Sequence, residues 1–136
     1  MAFQVLAPDE AEILVALVSA IVPHRQEALQ ATKVDTALAL DTKMVADLGL
    51  RALCREGLRS LELRAQQEHH FRFAALGADE QAALLATIEP GAFFQTLVHL
   101  TKYDFYNRHI VWEAIGYPDL GNESGYLRLG FDRLDA

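Results

Sequence analysis

Apolar residues recur every three or four positions along most of the chain, which is the spacing of an amphipathic α-helix. The clearest case lies near the start, where one helical face collects Ile13, Leu14, Leu17, Val18 and Ile21. No stretch of appreciable length alternates apolar and polar residues as a half-buried β-strand does. The pattern therefore predicts an all-α fold.

Proline and capping residues mark where the predicted helices begin and end. Pro8 suits the first turn of the first helix, and Pro23 stops it. The stretch 24–40 predicts one or two short helices with a joint near 32–35. A long helix is predicted to follow over 42–67, with Thr42 as its cap. Three shorter helices are predicted to follow, over 78–88, 92–103 and 109–115.

Two of these helix starts share the same short pattern. The words LAPDE and LGADE place Glu10 and Glu80 about three residues past a cap position, where a glutamate side chain accepts from the backbone N–H of the cap. The likeness ends within a dozen residues, so it indicates shared helix-start chemistry rather than a structural repeat.

The chain of 136 residues has the length of one domain. Residues 1–115 are expected to form a small bundle of five or six helices. The last stretch, 116–136, is rich in Gly, Pro, Asn and Asp, which predicts an irregular, extended tail rather than a helix. The domain organisation predicted is thus a single helical domain, 1–136.

Gly57 lies on the apolar face of the predicted long helix, where it costs about 1 kcal/mol of helix propensity. Close approach by a neighbouring helix would offset that cost, and simple tolerance of the glycine is the alternative. The polar face of the same helix predicts a solvated array of ion pairs, because charges of both signs recur at spacings of three and four. These charges are Arg55, Glu56, Arg59, Glu62, Arg64 and Glu68.

Acidic residues outnumber basic ones by 19 to 12, and the formal net charge is −7. Nucleic acids and anionic membranes attract basic surfaces, and the chain has no run of Lys or Arg, so neither is an expected partner. No apolar run reaches the roughly 18 residues of a membrane span. Asp9, Glu10 and Glu12 do not fit the positive start of a signal peptide. A cytoplasmic protein is expected, or a periplasmic one if an export signal has been removed.

Catalytic motifs are missing from the sequence. It contains no H-E-x-x-H, G-x-S-x-G or P-loop motif, and no G-x-G-x-x-G after a strand. The single cysteine, Cys54, excludes an internal disulfide and a cysteine-built metal site. On an apolar helix face it is expected to be a buried apolar side chain, with Arg51 and Arg55 pointing elsewhere. We predict no catalytic, cofactor-binding or metal-binding residue in this chain.

The histidines offer one alternative to that prediction. His99, Asp104 and His109 lie close enough in the sequence to form a metal site across a turn, which would make the chain a metal-dependent enzyme. Histidines at such positions more commonly lie in a core or an interface, with their hydrogen bonds satisfied by the protein. The adjacent pair 69–70 cannot bind one ion together from a helix and is expected at a solvated helix end. His24 is expected in a surface turn.

Aromatic residues concentrate in the last third of the chain, which holds nine of the twelve. Some of them must pack the core. Tyr and Trp are also enriched at protein interfaces, and an aromatic cluster beside a Gly-rich tail is typical of a surface that another protein covers. The residues predicted to supply core and partner contacts are Phe93, Phe94, Tyr103, Phe105, Tyr106, Trp112 and Tyr117.

Short motifs in a fixed order resemble the gluconate 2-dehydrogenase subunit 3 family over about residues 6–118. The family's G-L-x-x-L helix is matched by 57–61, its F-x-x-L by 73–76 and its E-Q helix start by 80–81. Near the end, FFQTLVHLTKYDFYNRHIVWEAIGYP is similar to the family's F-F, T-x-x-G-F-Y and G-Y-P signature. Asp104 stands where the family usually has Gly, so the turn or partner contact at that point is expected to differ.

The resemblance implies a small, non-catalytic subunit of an FAD-dependent dehydrogenase of the glucose-methanol-choline type, which oxidises a sugar, polyol or alcohol. It implies that a large subunit holds the FAD, and that the small subunit stabilises, matures or escorts it, in a complex that can include a cytochrome subunit. Family members often carry a twin-arginine export signal, and the sequence shows none. A stand-alone helical protein-binding module, or a homodimer that uses the same aromatic surface, is the second interpretation, and the metal-dependent enzyme is the third.

Overall fold

A computed structural model of the protein describes residues 3–116. The candidate residue Tyr117 and all but the first residue of the predicted tail lie outside this range. The described part contains six α-helices, two single 3₁₀ turns and no β-strand, which confirms the predicted all-α bundle. The helices are α1 (Pro8–Ile21), α2 (Gln30–Ala46), α3 (Leu48–His69), α4 (Ala78–Ile88), α5 (Ala92–Tyr106) and α6 (His109–Ala114), and the 3₁₀ turns are Glu27–Leu29 and Phe73–Ala75.

The two similar helix starts behave as the shared pattern predicts. The carboxylate of Glu10 accepts from the backbone N–H of Ala7 at 2.9 Å, and that of Glu80 accepts from the N–H of Gly77 at 3.2 Å. Each bond satisfies a donor that the first helical turn leaves without a partner inside the helix. Both α1 and α4 therefore begin where the sequence predicts.

Two predicted boundaries between the first and third helices are wrong. α2 runs without a joint through 32–35, because its packing against α1 and α5 outweighs the weak helix propensity of that stretch. Thr42 does not cap a helix, since its hydroxyl donates to the carbonyl of Leu38 within α2 at 3.0 Å. Asp47 is the actual cap of α3, and its carboxylate accepts from the N–H of Leu50 at 2.9 Å.

α1, α2, α3 and α5 form a four-helix core in which each helix contacts the other three. α4 packs beside α1 and α3, and α6 packs beside α5. α5 continues one turn past its predicted end, to Tyr106. The largest fully buried side chains come from all four core helices and from both 3₁₀ turns; they include Leu14, Leu17, Leu29, Leu40, Met44, Leu58, Leu61, Phe73, Leu97 and Phe105.

Gly57 lies where α3 packs against Phe93 of α5. A Cβ atom built on Gly57 would lie only 2.3–2.5 Å from three ring carbons of Phe93, so the ring occupies the space that any other residue's side chain needs. The close helix approach predicted as one of two explanations for this glycine is confirmed.

Buried carboxylates join the helices to one another and to the N-terminal segment. Glu10 of α1 is only 4% exposed and forms ion pairs with Arg55 at 3.2 Å and with Arg59 at 3.3 Å. The predicted solvated ion-pair face of α3 is present at Arg64 and Glu68, which lie 3.4 Å apart. Arg55 and Arg59 also form ion pairs, and Arg59 is 67% exposed, but their partner is Glu10 of α1 rather than a glutamate of the same face.

Candidate partner interface

Three of the predicted contact residues are held inside this chain. Phe105 is fully buried in the core, and Trp112 is 9% exposed. The indole Nε1 of Trp112 donates to the backbone carbonyl of Tyr106 at 2.5 Å, which fastens α6 to the end of α5. Phe93 packs onto Gly57. Phe105 and Trp112 stabilise the region where α5 meets α6, whereas Phe93 packs the start of α5 against α3.

His24 supports the same region from the other end of the sequence. Its Nε2 lies 2.7 Å from the hydroxyl oxygen of Tyr106, and its ring stacks on that of Phe105 with 6.2 Å between centroids. The expectation of a surface turn for His24 is wrong, because its two ring partners lie about 80 residues away in the sequence. Local pattern carries no signal for a contact of that range.

Outward-facing apolar side chains remain where α5 meets α6. Tyr103, in the last turns of α5, and Ile110, in α6, are each 46% exposed. We call these two residues the α5–α6 corner. Phe94 is half-buried and lines a cleft of about 540 Å³ together with Ile21 and Val98. Of the aromatic residues predicted as contacts and described here, Tyr103 presents the largest exposed fraction of its surface.

Sequence reasoning missed other exposed apolar side chains. Leu48 is 66% exposed, Phe71 is 62% exposed and Leu63 is 57% exposed. One of them carries a readable signal, since Leu63 lies on the polar face of α3 with Arg59 and Gln66 as its neighbours one turn away. An apolar residue on an otherwise polar face is a candidate contact residue.

An apolar groove between the N-terminal segment, α1 and α2 was also missed. Its volume is about 400 Å³, and its apolar lining residues are Phe3, Leu6, Pro8, Ala11, Val15 and Val34. Asp41 of α2 holds the segment in place, because its carboxylate accepts from the backbone N–H groups of Gln4, Val5 and Leu6. The groove depends on that anchoring.

Cys54 has the environment of an unreactive thiol. Burial and, to a lesser extent, the negative charge of Asp47 raise the pKa of the Cys54 thiol to about 11. Neither flanking arginine offsets this, since Arg51 donates to the carbonyls of α2 and Arg55 pairs with Glu10. The predicted role of a buried apolar side chain is confirmed.

The residues of the alternative metal site are not brought together. Asp104 accepts two hydrogen bonds from the guanidinium of Arg108, at 3.1 and 3.0 Å. His109 lies 3.4 Å from the carboxylate of Glu113, and His99 is exposed on α5. Within residues 3–116 no group of three or more His, Cys, Asp or Glu side chains is placed to hold a metal ion.

No helix in the same range is long and apolar enough to cross a bilayer.

These features define a small helical protein with a rigid four-helix core, buried carboxylates engaged in structural bonds, and apolar side chains left exposed. The family model described as gluconate 2-dehydrogenase subunit 3 matches residues 8–119, and the chain belongs to this family. The family identified from the short motifs is therefore confirmed. Searches of curated proteins and of solved structures found no match.

Proposed function

We propose that this protein is the small accessory subunit of an FAD-dependent dehydrogenase that oxidises a sugar, polyol or alcohol, and that it stabilises, matures or escorts the large subunit that holds the flavin. Membership of the gluconate 2-dehydrogenase subunit 3 family, across residues 8–119, carries the proposal. The family description names a subunit, and a subunit acts through the complex that it joins. A cytochrome subunit can belong to the same complex, which is in the cytoplasm, or in the periplasm if an export signal has been removed.

The physical mechanism is linkage between binding and folding. A subunit that binds only the folded large subunit stabilises it by RT ln(1 + [L]/Kd), which is about 2.7 kcal/mol when the free small subunit is at 100 times Kd. That gain is a sizeable part of the ~5–15 kcal/mol that separates folded from unfolded domains. No reactive group of the small subunit is required for it.

The α5–α6 corner suits the binding half of this mechanism. Tyr103 and Ile110 are exposed, whereas Phe105 and Trp112 of the same two helices are buried, and a hydrogen bond holds the Trp112 indole. Burying exposed apolar area contributes about 25 cal/mol per Å², and a side chain presented by a rigid support loses little conformational entropy on binding. A tyrosine combines a large apolar face with a polar tip, as partner contacts commonly require.

The double variant Tyr103→Ser, Ile110→Ser is expected to bind the large subunit at least about tenfold more weakly than the unchanged chain, because truncating contact anchors typically costs more than 1.4 kcal/mol. Both side chains are 46% exposed, so the variant's own free energy of unfolding is measured by chemical denaturation to separate a loss of binding from a loss of folding. The binding measurement is the Kd for a candidate FAD-dependent large subunit, by titration calorimetry.

The matched control is Val45→Ser, which removes an apolar side chain of α2 with a similar exposed fraction, 43%. It is expected to leave the Kd unchanged. Equal Kd values for the double variant and the unchanged chain would contradict the assignment of the corner as the contact surface. The homodimer and the stand-alone binding module stay predictions of the sequence.

A further inference from the structure

A second cleft, between α1, α2 and α4, has an unusual charge composition. Its volume is about 490 Å³, and its charged lining residues are Lys33 and Arg25, beside the hydroxyl of Ser19. Small apolar side chains and two glutamines form most of the remaining wall. No carboxylate is among the lining residues that the structure describes. We call this cleft the Lys33 cavity.

Lys33 is a buried cation without a compensating carboxylate in the part of the chain that the structure describes. The residue is only 4% exposed, and its ammonium makes one hydrogen bond, to Ser19 Oγ at 3.3 Å. Among residues 3–116 no carboxylate lies within ion-pair distance of the Lys33 ammonium. The buried Glu10, in contrast, pairs with two arginines. Buried charges are normally paired, because removal from water penalises an isolated ion heavily.

The electrostatics of the cavity favour an incoming negative charge. Removal from water lowers the pKa of the Lys33 ammonium, and the charge of Arg25 lowers it further. Two cations therefore repel each other across a cleft that lacks a counter-ion, although the chain as a whole has a net charge of −7. An anion between them would turn this repulsion into two attractive contacts.

We propose that the Lys33 cavity binds a small oxyanion, a phosphate or the carboxylate of a small organic acid, between the Lys33 ammonium and the Arg25 guanidinium. A guanidinium presents a planar pair of donors that matches an oxyanion, and an ammonium adds a point charge with three donors. The cavity volume lies within the roughly 300–1,000 Å³ of small-molecule sites. The apolar part of the wall can accommodate the carbon skeleton of an organic acid. This inference does not depend on the proposed function.

The test is the thermal unfolding midpoint of the full chain, titrated with sodium phosphate in one arm and sodium succinate in the other. Sodium chloride holds the ionic strength constant, and calorimetry supplies the Kd. The midpoint is expected to rise with the probe, and to keep rising with the logarithm of its concentration above Kd, as binding to the folded state alone requires. The calorimetric binding isotherm is expected to saturate. The arm that responds identifies phosphate or carboxylate as the preferred anion.

Variants separate the cavity from general charge effects. Lys33→Gln is expected to abolish the rise of the midpoint and the calorimetric binding signal. Arg25→Gln is expected to weaken the Kd at least about fivefold, which is the scale of one charge-assisted contact. Lys43→Gln, an exposed lysine on the same helix, is the control and should leave the response unchanged.

Folding failure does not confuse this test. Arg25 is exposed, so Arg25→Gln is expected to fold as the unchanged chain does, and it keeps the test independent of how Lys33→Gln folds. The absence of a concentration-dependent rise of the midpoint in both arms would overturn the proposal. A Lys33→Gln variant that responds like the unchanged chain would also overturn it.

Discussion

Asp41→Ala is expected to lower the free energy of unfolding by about 3–5 kcal/mol, which is a large part of the ~5–15 kcal/mol that separates folded from unfolded domains. The Asp41 carboxylate is completely buried, and it accepts from the backbone N–H groups of Gln4, Val5 and Leu6. The buried N–H of Leu6 loses its partner at a cost of about 1–3 kcal/mol, and each of the two part-buried bonds contributes about 0.5–1.5 kcal/mol more. Chemical denaturation of the purified variant measures the loss.

The same substitution is expected to release the N-terminal segment before the core unfolds. Leu6 and Phe3 line the apolar groove, and the Asp41 carboxylate holds the backbone of residues 4–6 against α2. Hydrogen exchange of the amides at 4–6 should therefore accelerate, while amides in α5 keep their protection. Asp35→Ala, an exposed carboxylate of the same helix, is the control and should change stability by less than about 0.5 kcal/mol. An equally small effect of Asp41→Ala would contradict the anchoring role.

Gly57→Ala is expected to destabilise the protein by about 1–3 kcal/mol, although alanine is the better helix former by about 1 kcal/mol. The new methyl group would overlap the ring of Phe93, so either the ring leaves its packed position or α3 and α5 separate. Gly49→Ala, in the first turn of the same helix, is the matched control. A Cβ there would meet only the Asp47 carboxylate, at an ordinary contact distance of 3.6 Å, so this variant should be neutral or stabilising.

A double-mutant cycle identifies the cause of the Gly57 effect. In a Phe93→Ala background the ring is absent, and Gly57→Ala is then expected to stabilise by up to about 1 kcal/mol. Thermal or chemical unfolding of the four chains gives the coupling energy. A stabilising effect of Gly57→Ala in the unchanged background would contradict the claim that the Phe93 ring requires glycine at this position.

Local sequence signals predicted the features that depend on neighbouring residues. The bounds of α4, the starts of α1 and α5, and the carboxylate bonds at Ala7 and Gly77 all follow from residues within one helical turn. The boundary between α2 and α3 was missed, because Thr42 and Asp47 are both plausible caps and only tertiary packing selects between them.

Long-range contacts limited the prediction of the candidate site. The aromatic cluster was visible in the sequence, but helical spacing did not show that Phe105 faces the core while Tyr103 faces outward. The contact of His24 with Tyr106 and the anchoring by Asp41 join residues far apart in the chain. Lys33 was one of several scattered basic residues in the sequence, and its burial follows from the packing of α1, α2 and α4 around it.

The flavin content of the large subunit tests the central claim most directly. A candidate FAD-dependent large subunit is expressed with and without this chain. Bound flavin is then measured by absorbance for each mole of purified large subunit. The account predicts that the two chains co-purify and that flavin content and yield of the large subunit fall several-fold when the small chain is omitted. A large subunit that is fully loaded with flavin in the absence of this chain, and that does not co-purify with it when both are present, would contradict the account.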